Sequence, residues 1–306
     1  MGRRWHKWLR GAYGAVPFKR PLFHALRRFW RPSGRMAEHL WFKGPFTVDA
    51  GNGRSFRMVN HGQQLENLVF WHGLFGDWEP VSMRAWAKAC EGRAVVLDIG
   101  ANTGLFGLVA RTVAPRAQVH CFEPMARVRE RLNLNNAING GGLQVHGIAL
   151  SDQEGTAMLH LDAGDHGYLA SLERTPHFSG ERVEVPVRRL DRVLAEAGID
   201  QVDVIKIDVE HHEPAVLRGM GRYLRQLPTL LIEVLDETAA AGIEEAIAGL
   251  GYLRFQVDEQ AAIEPRARIV AMPPTGGHGY NYILCSPAEA LRLGLVTSAA
   301  AAPTPH

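Results

Sequence analysis

Cysteine is scarce. The chain of 306 residues carries three, Cys90, Cys121 and Cys285, and none forms a Cys-x-x-Cys pair. That excludes a disulfide framework and a zinc knuckle. Cys121 and Cys285 stand in strand-like runs and read as buried thiols, which fits a reducing, cytoplasmic compartment. No apolar run reaches the roughly 18 residues of a membrane-spanning helix. The N-terminus lacks the continuous apolar core of a signal peptide. Acid is absent from residues 1–35, which hold ten Lys/Arg, so the remainder has 24 basic and 32 acidic residues, a net of −8. Hydrophobic residues at 46% and charged residues at 22% are the proportions of a globular protein. The length suits one α/β domain of about 200–250 residues with an extension.

A complete dinucleotide fingerprint is also missing. With Gly100 as its first glycine, Asn102 and Leu105 occupy the other two glycine positions. What does stand at 94–107 is an apolar strand (Val95, Val96, Leu97, Ile99), a turn framed by Gly100 and Gly104, and a helix start with Leu105, Phe106, Leu108 and Val109 at helical spacing. This is a cradle for a nucleotide-like ligand. Asp98 selects among such ligands: it repels a pyrophosphate and attracts an ammonium. S-adenosylmethionine carries an ammonium and a sulfonium and no phosphate. Asp98-Ile-Gly-Ala-Asn-Thr-Gly104 resembles motif I of class I methyltransferases.

The following segments extend the pattern. Gln118–Pro124 is a second strand, ending in Glu123, placed to accept both ribose hydroxyls. Residues 125–136 read as a helix and 143–150 as the third strand. Asp152 follows it, either as an acceptor for the adenine amine or as a turn cap. Residues 156–162 and 182–188 read as an inserted antiparallel pair, with 163–180 between them as a lid. Residues 202–210 form the fourth strand and its exit. Lys206, Asp208 and Glu210 share a face there while the chain stays extended, and His211, His212 and Glu213 come next. Residues 229–235 give a fifth strand carrying Glu233, and 252–258 and 281–286 the last two. Residues 259–280 are a long loop or an outer hairpin, and the Ala/Pro/Thr-rich end is a flexible tail.

Ahead of the core, Asn52-Gly53 between strand-like runs predicts a β-hairpin. Residues 1–35 interleave cations with aromatics; Leu22, Phe23, Leu26, Phe29 and Trp30 fall on one helical face. Three readings fit this arm: a short helix packed on the protein, a contact with the inner face of an anionic membrane, or a nucleic-acid contact. The expected organisation is a basic arm (1–35), a cap with the hairpin (36–92), the main domain (93–290) and a tail (291–306).

Taken together, several spaced motifs resemble the FkbM-type S-adenosylmethionine-dependent methyltransferases: motif I, Phe122-Glu-Pro124, Ala149-Leu-Ser-Asp152, Ala170-Ser-Leu172, Leu190-Asp191, Lys206-Ile-Asp-Val-Glu210, Glu213-Pro-Ala-Val-Leu-Arg-Gly219 and Ile232-Glu233. The resemblance implies an α/β, Rossmann-like doubly wound sheet of about seven strands with its last strand antiparallel. It implies S-adenosyl-L-methionine as cofactor and O-methylation of a small molecule or glycan. By carry-over Asp98, Gly100, Ala101, Asn102, Gly104, Glu123, Pro124, Asp152 and Asp208 line the cofactor site. One departure is visible: where the family has glycine after its Asp-x-Glu element, this chain has His211.

An attacking alcohol must lose a proton. Asp208 is the first candidate by position; His211 and His212 have the better-matched acidity near neutrality; Glu233 is another, and Lys206 orders the carboxylates. A divalent ion among Asp208, Glu210, His211, His212 and Glu213 is a rival, but neighbouring side chains point different ways and no metal is expected. The alternatives are a nucleic-acid methyltransferase using the basic arm and a non-catalytic cofactor-binding scaffold. Against the first, Asp208-Val-Glu-His-His lacks the Pro-Pro-aromatic element of amino-methylating nucleic-acid enzymes.

Overall fold

The computed structural model describes residues 13, 17–161, 170–173, 181–271 and 280–297. The expected lid at 163–180 lies outside the described residues except for Ala170–Glu173, and so does the tail beyond 297. The chain divides into two compact units at Pro80/Val81, ahead of the 92/93 boundary expected from sequence.

The first unit contains α1 (Lys19–Leu26), α2 (Gly34–His39), β1 (Gly44–Gly51), β2 (Arg54–Asn60) and α3 (Gln64–His72). β1 and β2 form the expected antiparallel hairpin. Asn52 and Gly53 both take positive φ, 53° and 73°, as the tight turn requires. Phe46, Val48, Phe56 and Met58 alternate inward and join Phe42, Phe70 and Trp71 in an edge-to-face aromatic core. Glu66 starts α3 by accepting the backbone N–H of His61 at 2.5 Å and of Gln63 at 3.2 Å.

The second unit is an α/β domain that opens with α4 (Pro80–Cys90) from its second residue on. Its elements run β3 (Val95–Ile99), α5 (Leu105–Val113), β4 (Gln118–Phe122), α6 (Ala126–Ile138), β5 (Leu143–His146), β6 (Ala149–Ser151), β7 (Gly155–Leu161), β8 (Ala170–Ser171), β9 (Arg182–Arg189), α7 (Leu190–Glu196), β10 (Val204–Ile207), α8 (Glu213–Gly219), β11 (Thr229–Glu233), α9 (Glu237–Ile247), β12 (Leu253–Val257), β13 (Ile263–Arg266), β14 (Asn281–Cys285) and α10 (Pro287–Leu293). The main sheet has the order β13-β12-β14-β11-β10-β3-β4-β5. β3 is buried along its whole length, so its apolar residues need no alternation. β14 is antiparallel to both its neighbours, as expected of the last strand. The sheet has eight strands rather than about seven, because β13 returns along β12 as the outer-hairpin alternative for 259–280. The core lies under β3, β10 and β11, where Leu97, Ile205 and Ile232 meet Leu190, Leu217 and Ile243 from the helices.

The expected strand 143–150 is two strands. β5 ends at His146, whose ring stacks on Phe122 at 4.6 Å, and β6 leaves for a second sheet ordered β6-β9-β7-β8. The break falls at Gly147, where a side chain would collide with Arg129, its Cβ only 2.7 Å from Cζ. Arg129 is fixed there by donating to the carbonyls of Glu123 and Pro124 at 2.9 and 2.8 Å. The inserted pair β7/β9 is antiparallel, as expected. All three cysteines are free and buried.

Candidate active site

β3 has β4 and β5 on one side and β10 and β11 on the other. The direction of strand addition therefore reverses between β3 and β10, and ligands of open α/β sheets bind beyond the carboxyl ends at such a point. The loops there are Gly100–Gly104, Glu123–Met125, Asp208–His212 and the exit of β11.

The glycine turn is shaped by backbone. Gly100, Asn102 and Gly104 take φ of 78°, 48° and 89°, and Asn is one of the few residues with a side chain that tolerate this region. The N–H groups of Gly100 and Ala101 both donate to the Phe122 carbonyl, at 3.1 and 3.0 Å. A Cβ on Gly100 would stand 1.8 Å from the Asp208 carbonyl oxygen, so the turn lies directly against the chain leaving β10. Gly104 ends the turn as the N-cap of α5 without a side-chain cap of its own, and the N–H of Gly107 in the first turn goes to Asp98.

Two carboxylates support the turn. Glu123 accepts from Asn102 N–H at 3.0 Å through Oε2 and from Met125 N–H at 2.9 Å through Oε1. Each oxygen keeps a second lone pair for a pair of hydroxyls. Burial pushes its pKa up to about 7, although these backbone bonds pull the other way. Asp98 is fully buried beneath the turn, with Oδ2 accepting from Gly107 N–H at 2.9 Å and Oδ1 buried without a partner among the described residues. Burial raises its pKa to about 6 against the opposing charge of Lys206. Asp152 lies beside β6 and is paired with Arg218. Its Oδ2 accepts from Arg218 Nε at 2.8 Å and its Oδ1 from Ser151 Oγ at 3.2 Å. Burial works to raise its pKa, but the Arg218 bond and charge outweigh it and leave the carboxyl below its usual value.

The loop after β10 holds the other candidates. Lys206 is buried, its ammonium 4.5 Å from the Phe106 ring centre and 2.7 Å from Asp208 Oδ2. The carboxylates of Asp208, Glu210 and Glu233 each present an oxygen within 4.8 Å of the others. Glu210 and His211 both lie in the left-handed region, at φ 56° and 79°. His211 thus keeps a glycine-like backbone while carrying an imidazole. Glu213, fully buried at the start of α8, anchors the loop by accepting Val209 N–H at 3.1 Å, and burial raises its pKa to about 7.

The two histidines part company. His212 is used on both ring nitrogens, Nδ1 at 2.8 Å from Glu173 and Nε2 at 3.0 Å from Ser151 Oγ. It fastens the β8 segment to the loop together with Ser171, whose hydroxyl donates to the Glu210 carbonyl. His211 turns toward the start of α9, where its Nδ1 is 2.8 Å from Asp236 Oδ2, an ion-pair contact without hydrogen-bond alignment. Asp236 also caps α9 by accepting Ala239 N–H at 2.7 Å. Sequence reasoning passed over Asp236, Ser151, Glu173 and Arg218. Only Asp236 gave a local signal, as an acid just ahead of a helix.

Known proteins share this arrangement of motifs. The model of the methyltransferase FkbM domain matches residues 98–253. The 31-O-demethyl-FK506 methyltransferase FkbM of Streptomyces tacrolimicus is 33% identical over 154 residues, covering 41% of this chain and 59% of that protein. The 2-O-methyltransferase NoeI of Sinorhizobium fredii is 30% identical over 199 residues, covering 60% of this chain and 76% of that protein. AMB antimetabolite synthetase AmbE of Pseudomonas aeruginosa is 33% identical over 194 residues, covering 51% of this chain and 9% of that protein. Among solved structures, a SAM-dependent methyltransferase from Agrobacterium tumefaciens aligns over 80% of this chain and 70% of its own, with 12% identity and a TM-score of 0.43.

Proposed function

The chain belongs to the FkbM family of S-adenosylmethionine-dependent methyltransferases, and from that premise we propose that it methylates a hydroxyl oxygen on a sugar, glycan or other small hydroxylated metabolite. One observation carries the choice of acceptor: Asp208, Glu210 and Glu233 converge beside the glycine turn. Ionised carboxylates accept hydrogen bonds and donate none. Such a cluster suits a ligand rich in O–H donors and repels a phosphate backbone, which disfavours a nucleic-acid acceptor. Two relatives point the same way by name, NoeI as a 2-O-methyltransferase and AglP of Haloferax volcanii as a hexuronic acid methyltransferase.

The cofactor residues fit the group. Glu123 offers its remaining lone pairs to the ribose hydroxyls, and the buried Asp98 places negative charge on the ammonium side. Bound S-adenosylmethionine supplies an electrophilic methyl group on a sulfonium. Gly100 and Asp208, pressed together, set the distance between the donor and acceptor halves, and alignment of this kind contributes much of the rate in a displacement.

The acceptor's proton goes to His211. The Asp236 carboxylate, 2.8 Å from Nδ1, stabilises the imidazolium that forms as the proton arrives. Asp208, held by Lys206, orients the hydroxyl; His212, used on both nitrogens, serves the scaffold.

The test is methyl transfer from labelled cofactor into a panel of glycosides and into cell extract, with mass spectrometry locating the label. Label in an ether oxygen is expected. Label on nitrogen or in nucleic acid would reject the reading, and cofactor binding without any transfer would leave a scaffold protein. His211→Gln should lower turnover about 10²–10⁴-fold with cofactor affinity unchanged.

A further inference from the structure

Helix α1 has two apolar faces. The inner one is spent on the first unit's own core. Phe23 is buried with its ring 5.3 Å from Trp71, His24 lies 5.1 Å from Phe70, Arg27 covers the Phe70 ring at 4.7 Å, and Trp30 meets Trp71 at 5.8 Å. The outer row joins Leu22 and Leu26 of α1, 53% and 37% exposed, to Phe18 at the left-handed N-cap and Phe29 in the turn that follows, 80% and 90% exposed. A surface helix ordinarily turns polar residues outward, and a contiguous exposed apolar row marks an interaction surface. By helical spacing Arg28 flanks this row, while Arg20 packs against Gly44 and Arg31 donates to the His72 carbonyl on the inner side. These three and Arg35 are exposed, and residues 1–35 contain no acid at all.

We propose that this face docks on an anionic lipid surface, with Phe18, Leu22, Leu26 and Phe29 entering the boundary between headgroups and acyl chains and the arginines meeting lipid phosphates. The pattern is that of an interfacial helix, apolar on the lipid side, in a segment whose charged residues are all cationic. Each cation near such a surface is worth roughly fivefold in partitioning. Leu22 and Leu26 decide between lipid and RNA: leucines insert among acyl chains, whereas single-strand binding relies on flat rings that stack on bases. The inner face already secures the helix, so the outer one is available without unfolding.

The experiment is co-sedimentation of the full chain with phosphatidylcholine vesicles and with mixed phosphatidylcholine–phosphatidylglycerol vesicles. Partitioning into the anionic vesicles should be about tenfold higher or more, and should fall with salt. The combined change Phe18→Ser, Leu22→Ser and Phe29→Ser should lower it by about tenfold or more with an unchanged thermal midpoint. The pair Arg28→Glu and Arg35→Glu, at exposed positions, should lower it independently. The proposal is overturned if wild type ignores both vesicles, if it binds them equally, or if either variant partitions like wild type. It is also overturned if the serine variant turns a dimer into a monomer, which would make the face a contact between copies, or if RNA binds in preference and displaces the vesicles.

Discussion

The two halves of the candidate site are built from different material. On the cofactor half, each contact that holds the glycine turn has a backbone group on at least one side. Phe122 carbonyl holds Gly100 and Ala101, and Glu123 is itself pinned by the N–H groups of Asn102 and Met125. On the acceptor half the partners are side chains: Lys206 with Asp208, His211 with Asp236, His212 with Glu173 and Ser151. Backbone geometry tolerates few sequences, and side-chain pairs can be exchanged one at a time. A cofactor common to many enzymes and an acceptor peculiar to one call for that division.

The contrast can be broken most forcefully at Gly100. Gly100→Ala places a methyl against the Asp208 carbonyl at a φ of 78°, and should cost on the order of 4 kcal/mol by chemical denaturation. A stable Gly100→Ala protein would show that the cofactor half is not backbone-limited. Glu123→Gln comes next. It should weaken cofactor binding by roughly 1.5–3 kcal/mol in calorimetry.

The pH dependence sharpens the Glu123 test. Its folded pKa is about 7 against an ordinary 4.5. Between those values the folded chain keeps a proton that the unfolded chain has lost, so its contribution to stability falls as pH rises through that window. Hydroxyls donate to the ionised form, so cofactor affinity should rise as pH climbs toward 7, with proton release on binding. Calorimetry in buffers of different ionisation enthalpy reads that proton, and Glu123→Gln should abolish it.

A smaller effect is expected at His211. His211→Gly relieves a side chain in the left-handed region and should stabilise the fold by about 1 kcal/mol while removing turnover. A loss of stability would mean that the Asp236 contact outweighs the strain. Least of all, Glu173→Gln should alter stability by no more than about 1 kcal/mol, as expected for a pair with a half-exposed carboxylate. It should leave the pH profile of turnover in place; a shifted profile would bring His212 into the chemistry.

What the sequence made legible follows the same division. Asp98, Gly100, Asn102, Gly104 and Glu123 lie on strand–turn–helix units whose residues are close along the chain, and the structure brings all of them to one end of the sheet. The Asn52-Gly53 hairpin, the antiparallel pair β7/β9 and the antiparallel β14 were readable for the same reason. The break at Gly147 was not, because it depends on Arg129 reaching back from α6 to two carbonyls. Nor was the sorting of His211 from His212. These neighbours were ambiguous until the left-handed turn sent one toward Asp236 and the other to Ser151, 61 positions earlier. Asp152 was read as an adenine acceptor or a turn cap, and its pairing with Arg218, which depends on α8 packing near β6, was not legible.

The crowding at Gly100 involves the carbonyl of Asp208 and not its carboxylate. Every amino acid supplies that carbonyl. The cofactor loop is therefore indifferent to which side chain stands at 208, provided the backbone path is kept. Acceptor preference could be rewritten at 208, 210 and 233 without re-engineering the cofactor loop, so that a library randomised at those three positions would sample new substrates on an unchanged methyl donor.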